Sequence, residues 1–182
     1  MSRETAYIVL FRGVGGATQL PVKRLREVLA EAGFNNVSTY INSGNAVLSS
    51  SLSADEVARG VAAAVKEKMD FGKSVLVRSR AEWAEMIAEN PYPEVVDEPT
   101  KLHVFTLERA PEPDLIAALD AKARSTERFT VKGRTLYLHT PDGMGRSLFA
   151  PKIEPTLKVA MTARNWRTML ALRDMADAIP IG

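Results

Sequence analysis

Three short stretches hold residue types at a spacing that could bind or transform a ligand: Arg12-Gly13-Val14-Gly15-Gly16, Asn42-Ser43-Gly44-Asn45 and Thr162-Ala163-Arg164-Asn165-Trp166-Arg167. In the first, glycines let backbone N–H groups approach a bound group closely while one guanidinium supplies positive charge. The second offers two carboxamides, a hydroxyl and a further glycine. The third sets two arginines at an expected helix start, where unpaired N–H groups and the helix dipole attract phosphate or carboxylate. Each stretch also has a plainer reading. The glycines permit tight turns, Trp166 is core, Asn165 completes a cap and the arginines face solvent.

More specific motifs are incomplete. Gly13-Val14-Gly15 is followed by Gly16-Ala17-Thr18, so the third glycine of G-x-G-x-x-G is missing. No acidic residue ends the second strand to accept from a ribose hydroxyl, and a dinucleotide site is excluded. No Gly-Lys-Ser/Thr follows at phosphate-loop spacing and no serine lies in a G-x-S-x-G elbow. The absence of cysteine removes disulfides, thiolate nucleophiles and Cys-based zinc sites together. His103 and His139 stand singly on strands without carboxylates at ligand spacing and read as partly buried structural residues. The carboxylates between Glu82 and Glu98 crowd one helix and its following loop, as a charged surface does. The expectation is no metal, no cofactor and no assignable catalytic residue. A metal-independent enzyme would have to draw on Ser43, Tyr40 and Arg164.

The elements that position these stretches follow from periodicity. Residues 5–11, Thr-Ala-Tyr-Ile-Val-Leu-Phe, are apolar on both faces, as a central strand covered on both sides requires. Pro21 suits a first helical position, and Val22, Leu25, Val28, Leu29 and Ala32 form a stripe closed by Gly33. Residues 37–41 and 46–49 read as strands joined by the 42–45 turn, and Ser53 and Glu56 as a capping box opening a helix to about residue 70. Residues 74–78 form a fourth strand. The order βαββαβ is the split-βαβ, ferredoxin-like plan.

A second capping box, Ser79 with Glu82, opens a helix that stops at Asn90-Pro91. After an acidic, proline-rich connection, residues 101–107 alternate as a strand and Pro111-Glu112-Pro113-Asp114 starts a helix. Residues 128–132 and 134–140 form a hairpin around Lys132-Gly133. Residues 149–155 carry no readable pattern, and an amphipathic helix spans residues 163–178 with Thr162 as its N-cap. The expected fold class is α+β: two tandem ferredoxin-like (α/β-plait) units with antiparallel sheets plus a C-terminal amphipathic helix. Residues 1–78 are the first unit and 79–182 the second.

Composition bounds the rest. The 182 residues are 46% hydrophobic and 25% charged, with formal net charge +2. No apolar run approaches the roughly 20 residues that span a bilayer, and the N-terminus lacks a signal-peptide cleavage pattern, so a cytoplasmic, non-membrane protein is expected. Residues 1–78 carry 10 basic and 7 acidic side chains, residues 79–120 carry 3 and 10, and residues 121–182 carry 11 and 5. The acidic middle between basic ends reads either as solvated surface or as two basic regions that attract an anionic partner.

Arg12-Gly13-Val14-Gly15-Gly16, Leu20-Pro21-Val22, Gly33-Phe34, Thr39-Tyr40-Ile41-Asn42-Ser43-Gly44-Asn45 and Thr162-Ala163-Arg164-Asn165-Trp166 with Thr168 resemble, in that order, the bacterial domain-of-unknown-function 1697 family. The resemblance covers nearly the whole chain and implies two ferredoxin-like units; it supplies no activity. The family's first loop usually reads Arg-Gly-Ile-Asn-Val-Gly-Gly. Here it is two residues shorter and lacks the asparagine, and Arg167 replaces the asparagine usual after the tryptophan.

The functional expectation is a module that holds a small anionic ligand. Its binding residues would be Arg12, Gly13, Gly15, Gly16, Asn42, Ser43, Gly44, Asn45, Arg164, Asn165 and Trp166. In a split-βαβ unit the first two strands run parallel, so the 12–16 loop and the 42–45 turn should meet at one end of the sheet. The alternative is nonspecific nucleic-acid binding through the basic ends. The aromatic pair that RNA-binding plaits show on their first and third strands is absent, because residues 46–49 are Ala-Val-Leu-Ser. The chain would act as a monomer or a homodimer.

Overall fold

Tyr7, Val9 and Phe11 alternate along the first strand into one apolar cluster while Ala6, Ile8 and Leu10 between them are also buried, which is why the segment carries almost no polar residue. The computed structural model describes residues 3–41, 44–123 and 126–181. The chain folds as two units, Met1–Glu85 with Leu170–Gly182, and Met86–Met169.

The first unit runs β1 (Thr5–Phe11), α1 (Val22–Glu31), β2 (Asn35–Thr39), β3 (Asn45–Ser50), α2 (Ala54–Met69) and β4 (Val75–Ser79). Its sheet has the order β2-β3-β1-β4 with antiparallel neighbours, the ferredoxin-like arrangement. Leu25 and Leu29 of α1 and Val57, Val61 and Val65 of α2, each set at four-residue steps, pack on the β1 cluster with Phe71 and Leu48. Both capping boxes are present. The Glu56 N–H donates to Ser53 Oγ (3.4 Å) and the Ser53 N–H to Glu56 Oε2 (2.9 Å); Glu82 and Ser79 repeat this at 3.2 and 2.8 Å. Strand β2 starts and ends two residues earlier than its sequence pattern suggests. Ile41 turns to φ +46° and leaves the strand, and a register shift accompanies Asn36 at φ +51°.

The second unit repeats the plan with β5 (Leu102–Leu107), α4 (Pro113–Asp120), β6 (Arg128–Lys132), β7 (Thr135–His139), α5 (Ala150–Leu157) and β8 (Met161–Asn165), in the order β6-β7-β5-β8. Phe105, Leu107, Leu136 and Leu138 face Leu119, Phe149, Ile153 and Leu157 across its core. The buried Tyr137 hydroxyl donates to the Met86 carbonyl at 2.6 Å. Helices α3 (Arg80–Ala88) and α6 (Trp166–Asp177) follow β4 and β8 without a loop.

Two expectations are corrected here. Residues 150–155 belong to helix α5, with Phe149 just before it, obscured in the sequence because Pro151 and Pro155 both fall within it. Residues 163–165 are not the start of the last helix: they complete β8, paired with β5 through Phe105↔Ala163 and Val104↔Arg164. Thr162 therefore caps nothing. Asn165 does, its Oδ1 accepting from the Thr168 N–H at 3.0 Å. Strand pairing overrides the helical propensity of a five-residue stretch that has an open ladder beside it.

The duplication extends below element order. β4 and β8 are each five residues long with arginine fourth, Arg78 and Arg164. Each guanidinium donates to the carbonyl of its preceding residue, Val77 at 3.0 Å and Ala163 at 2.8 Å, and the next residue caps the following helix.

Candidate functional site

The expected meeting of the first loop and the turn after β2 is present where residues are described. The Phe11 N–H donates to the Gly44 carbonyl at 2.9 Å, and Leu10 pairs with Asn45. A Cβ on Gly44 would stand 2.8 Å from Val14 Cγ2 and 2.9 Å from the Phe11 carbonyl oxygen, and φ there is +76°. Only glycine lets the two loops pack this closely. Asn45 is buried, and its amide donates to the Tyr40 carbonyl at 3.2 Å, closing the turn. Asn42 and Ser43, two of the expected binding residues, lie outside the described residues.

The glycine loop is partly self-satisfied. Gly15 and Thr18 exchange backbone hydrogen bonds at 2.7 and 3.0 Å, and the Gly16 carbonyl accepts from Gln19 Nε2 at 2.6 Å. Gly15 thus closes a miniature hairpin and its N–H is not open to a ligand. At the end of the loop nearer β1, the Arg12 N–H donates to the Ser74 carbonyl at 3.0 Å.

That last contact reveals a residue which the sequence reading missed. β4 runs antiparallel to β1 with Phe11 opposite Val75, so the segment entering β4 lies beside the segment leaving β1. Lys73 is carried there, and its ammonium donates to the Gly13 carbonyl at 3.1 Å. Arg12, Gly13, Gly72, Lys73 and Ser74 line an open cavity of about 370 Å³. The strand order of the plait contains the signal: it places the start of the fourth strand, as well as the end of the second, beside the first loop.

Arg164, Asn165 and Trp166 fall in the second unit. Arg164 also donates to Thr162 Oγ1 at 2.7 Å, and burial pulls its guanidinium down to about 10, still protonated at neutral pH. Trp166 is buried. A second depression in this unit, of about 140 Å³, is lined by Thr126, Glu127, Asp142, Arg146 and Leu148, two carboxylates against one arginine. Among the described residues no three His, Asp or Glu side chains gather to hold a metal ion, and no helix is long and apolar enough to cross a membrane.

Both histidines are shifted toward the neutral form. Burial pulls the His103 imidazole down to about 4, and its Nδ1 has no hydrogen-bond partner among the described residues; burial and then the Arg128 guanidinium, 3.3 Å from Nδ1, lower His139. For His103 the folded value lies below the unfolded value of about 6.5, so the unfolded chain binds the extra proton between those limits. Stability from the neutral ring is complete above pH 6.5 and declines as pH falls toward 4. Its expected size is about 2–3 kcal/mol after allowance for the ring's partial exposure. Chemical denaturation from pH 4 to 8 should show His103→Leu losing less stability on acidification than wild type. Parallel curves would remove this account of His103.

The sequence model of the family described as "Protein of unknown function (DUF1697)" matches residues 5–137. Among solved structures, the conserved bacterial protein SP0830 from Streptococcus pneumoniae is similar with a TM-score of 0.72, covering 95% of this chain and 99% of that one. At 18% identity the likeness concerns the fold alone. No curated protein matches the sequence significantly.

Proposed function

Because the chain belongs to the DUF1697 family of proteins of unknown function, its role has to be read from its own residues, and we propose that it binds a small anionic ligand where β1 ends and β4 begins. The observation that carries this reading is the placement of Arg12 and Lys73, with Ser74, around one cavity whose lining includes no carboxylate. Two cations set against glycine backbone attract an anion by charge and hold it by charge-assisted hydrogen bonds. The smaller depression of the second unit carries more negative than positive side chains and does not share this character. Base stacking lacks a platform in the first unit. Tyr7 and Phe11 point into the core, and Ala6, Ile8, Leu10 and Val47 on the opposite face of β1 and β3 are buried and carry no ring.

A thermal-shift screen against an anionic metabolite panel tests the proposal. A ligand present at about 100 times its Kd should add about 2.7 kcal/mol to the stability. Arg12→Ala and Lys73→Ala should each remove most of that gain, and at exposed Lys73 the ligand-free stability should change by no more than about 0.5 kcal/mol, the usual range for surface positions. If both variants respond as wild type does, the ligand is held elsewhere.

A further inference from the structure

The lining of this cavity also narrows the ligand's chemistry, an inference that rests on the anion-binding reading above. The backbone N–H groups of Gly13, Gly72 and Lys73 and the Ser74 hydroxyl have no hydrogen-bond partner among the described residues. With the two cations they give the lining several hydrogen-bond donors. It contains no aromatic ring, no aliphatic residue and no carboxylate.

The Lys73 ammonium rests on the Gly13 carbonyl. That rest depends on glycine. A Cβ at Gly13 would sit 2.9 Å from Lys73 Cδ and 3.0 Å from Nζ, and the backbone holds φ +71°. Lys73 is exposed and, among the described residues, bonded to a neutral carbonyl, so a doubly charged anion offers its ammonium a stronger partner at little cost.

A carboxylate presents two oxygens and a single charge. A phosphoryl group presents three oxygens and about −1.5 to −2 charge at pH 7, a better match in number and charge to two cations and several neutral donors. Apart from the glycine carbons and the stems of Arg12 and Lys73, an apolar or aromatic ligand body finds no side chain in the lining to pack against. We infer that the site takes a phosphoryl group, as free phosphate or as a phosphate monoester whose organic part stays outside the cavity, and that Lys73 moves from the Gly13 carbonyl onto it.

Calorimetric titration with inorganic phosphate, glycerol 3-phosphate and succinate tests the inference. At least one phosphate compound should bind ten times or more tighter than succinate. Lys73→Met and Arg12→Met should each weaken that binding by about tenfold to a hundredfold, the loss expected for a charged hydrogen bond. Gly13→Ala, which displaces the lysine, should weaken it in the same direction. Affinity for glycerol 3-phosphate should rise as pH increases through about 6, where a monoester loses its second proton. Tighter binding of glycerol 3-phosphate than of phosphate assigns the ligand to the monoesters, and the reverse order assigns free phosphate. Succinate binding as tightly as either phosphate, with dependence on Arg12 and Lys73, overturns the phosphoryl inference and leaves the anion site standing. Failure of all three to bind, or binding indifferent to both methionine variants, overturns the site itself.

Discussion

Phe11→Ala should destabilise the protein by about 3–5 kcal/mol, the range for truncating a buried phenylalanine, and weaken anion binding in the same variant. Phe11 is 1% exposed and meets Phe71 edge to face, with centroids 5.9 Å apart and planes at 82°. Such a pair contributes about 0.5–1.5 kcal/mol beyond the area it buries. Its position gives it a second role. Phe11 immediately precedes Arg12, and Phe71 immediately precedes Gly72 and Lys73, so one aromatic contact anchors both walls of the proposed site. Urea denaturation of Phe11→Ala and Phe11→Leu separates the two effects. Leucine should restore most of the lost volume and most of the stability, yet leave the walls without the ring pair. A Phe11→Ala variant within about 1 kcal/mol of wild type would show that the pair anchors nothing.

The second large effect is expected in the other unit. Phe149→Ala should cost about 3–5 kcal/mol and loosen α5 selectively. Phe149 is fully buried, lies 5.5 Å from the Phe129 ring centroid, and heads the row that continues through Ile153 and Leu157. Helix α5 is only eight residues long and contains Pro155, which donates no backbone hydrogen bond. Isolated helices of that length are not stable in water, so packing must hold it. Hydrogen exchange should accelerate in residues 150–157 of the variant well before the strands β5 and β7 respond. Unchanged protection of those amides would mean that something other than this apolar row holds the helix.

The amino-acid sequence alone determined the features whose signal is local. β1 was legible because seven consecutive residues suit a doubly covered strand. The starts of α2 and α3 were legible because Ser53 with Glu56 and Ser79 with Glu82 satisfy helix N–H groups within four residues. Gly33, at φ +93°, ended α1 for the same kind of reason. The neighbourhood of the first loop and the Gly44 turn was also legible, because strand direction in a βαββαβ order follows from chain connectivity. What only the tertiary structure decided rests on partners remote in sequence. β8 is a strand because β5 offers it an open ladder, and α5 is a helix because Phe149, Ile153 and Leu157 have a core to enter despite two prolines. Lys73 joined Arg12 across sixty residues of chain through the antiparallel pairing of β1 with β4, and its ammonium came to rest on Gly13, whose missing Cβ leaves room for it.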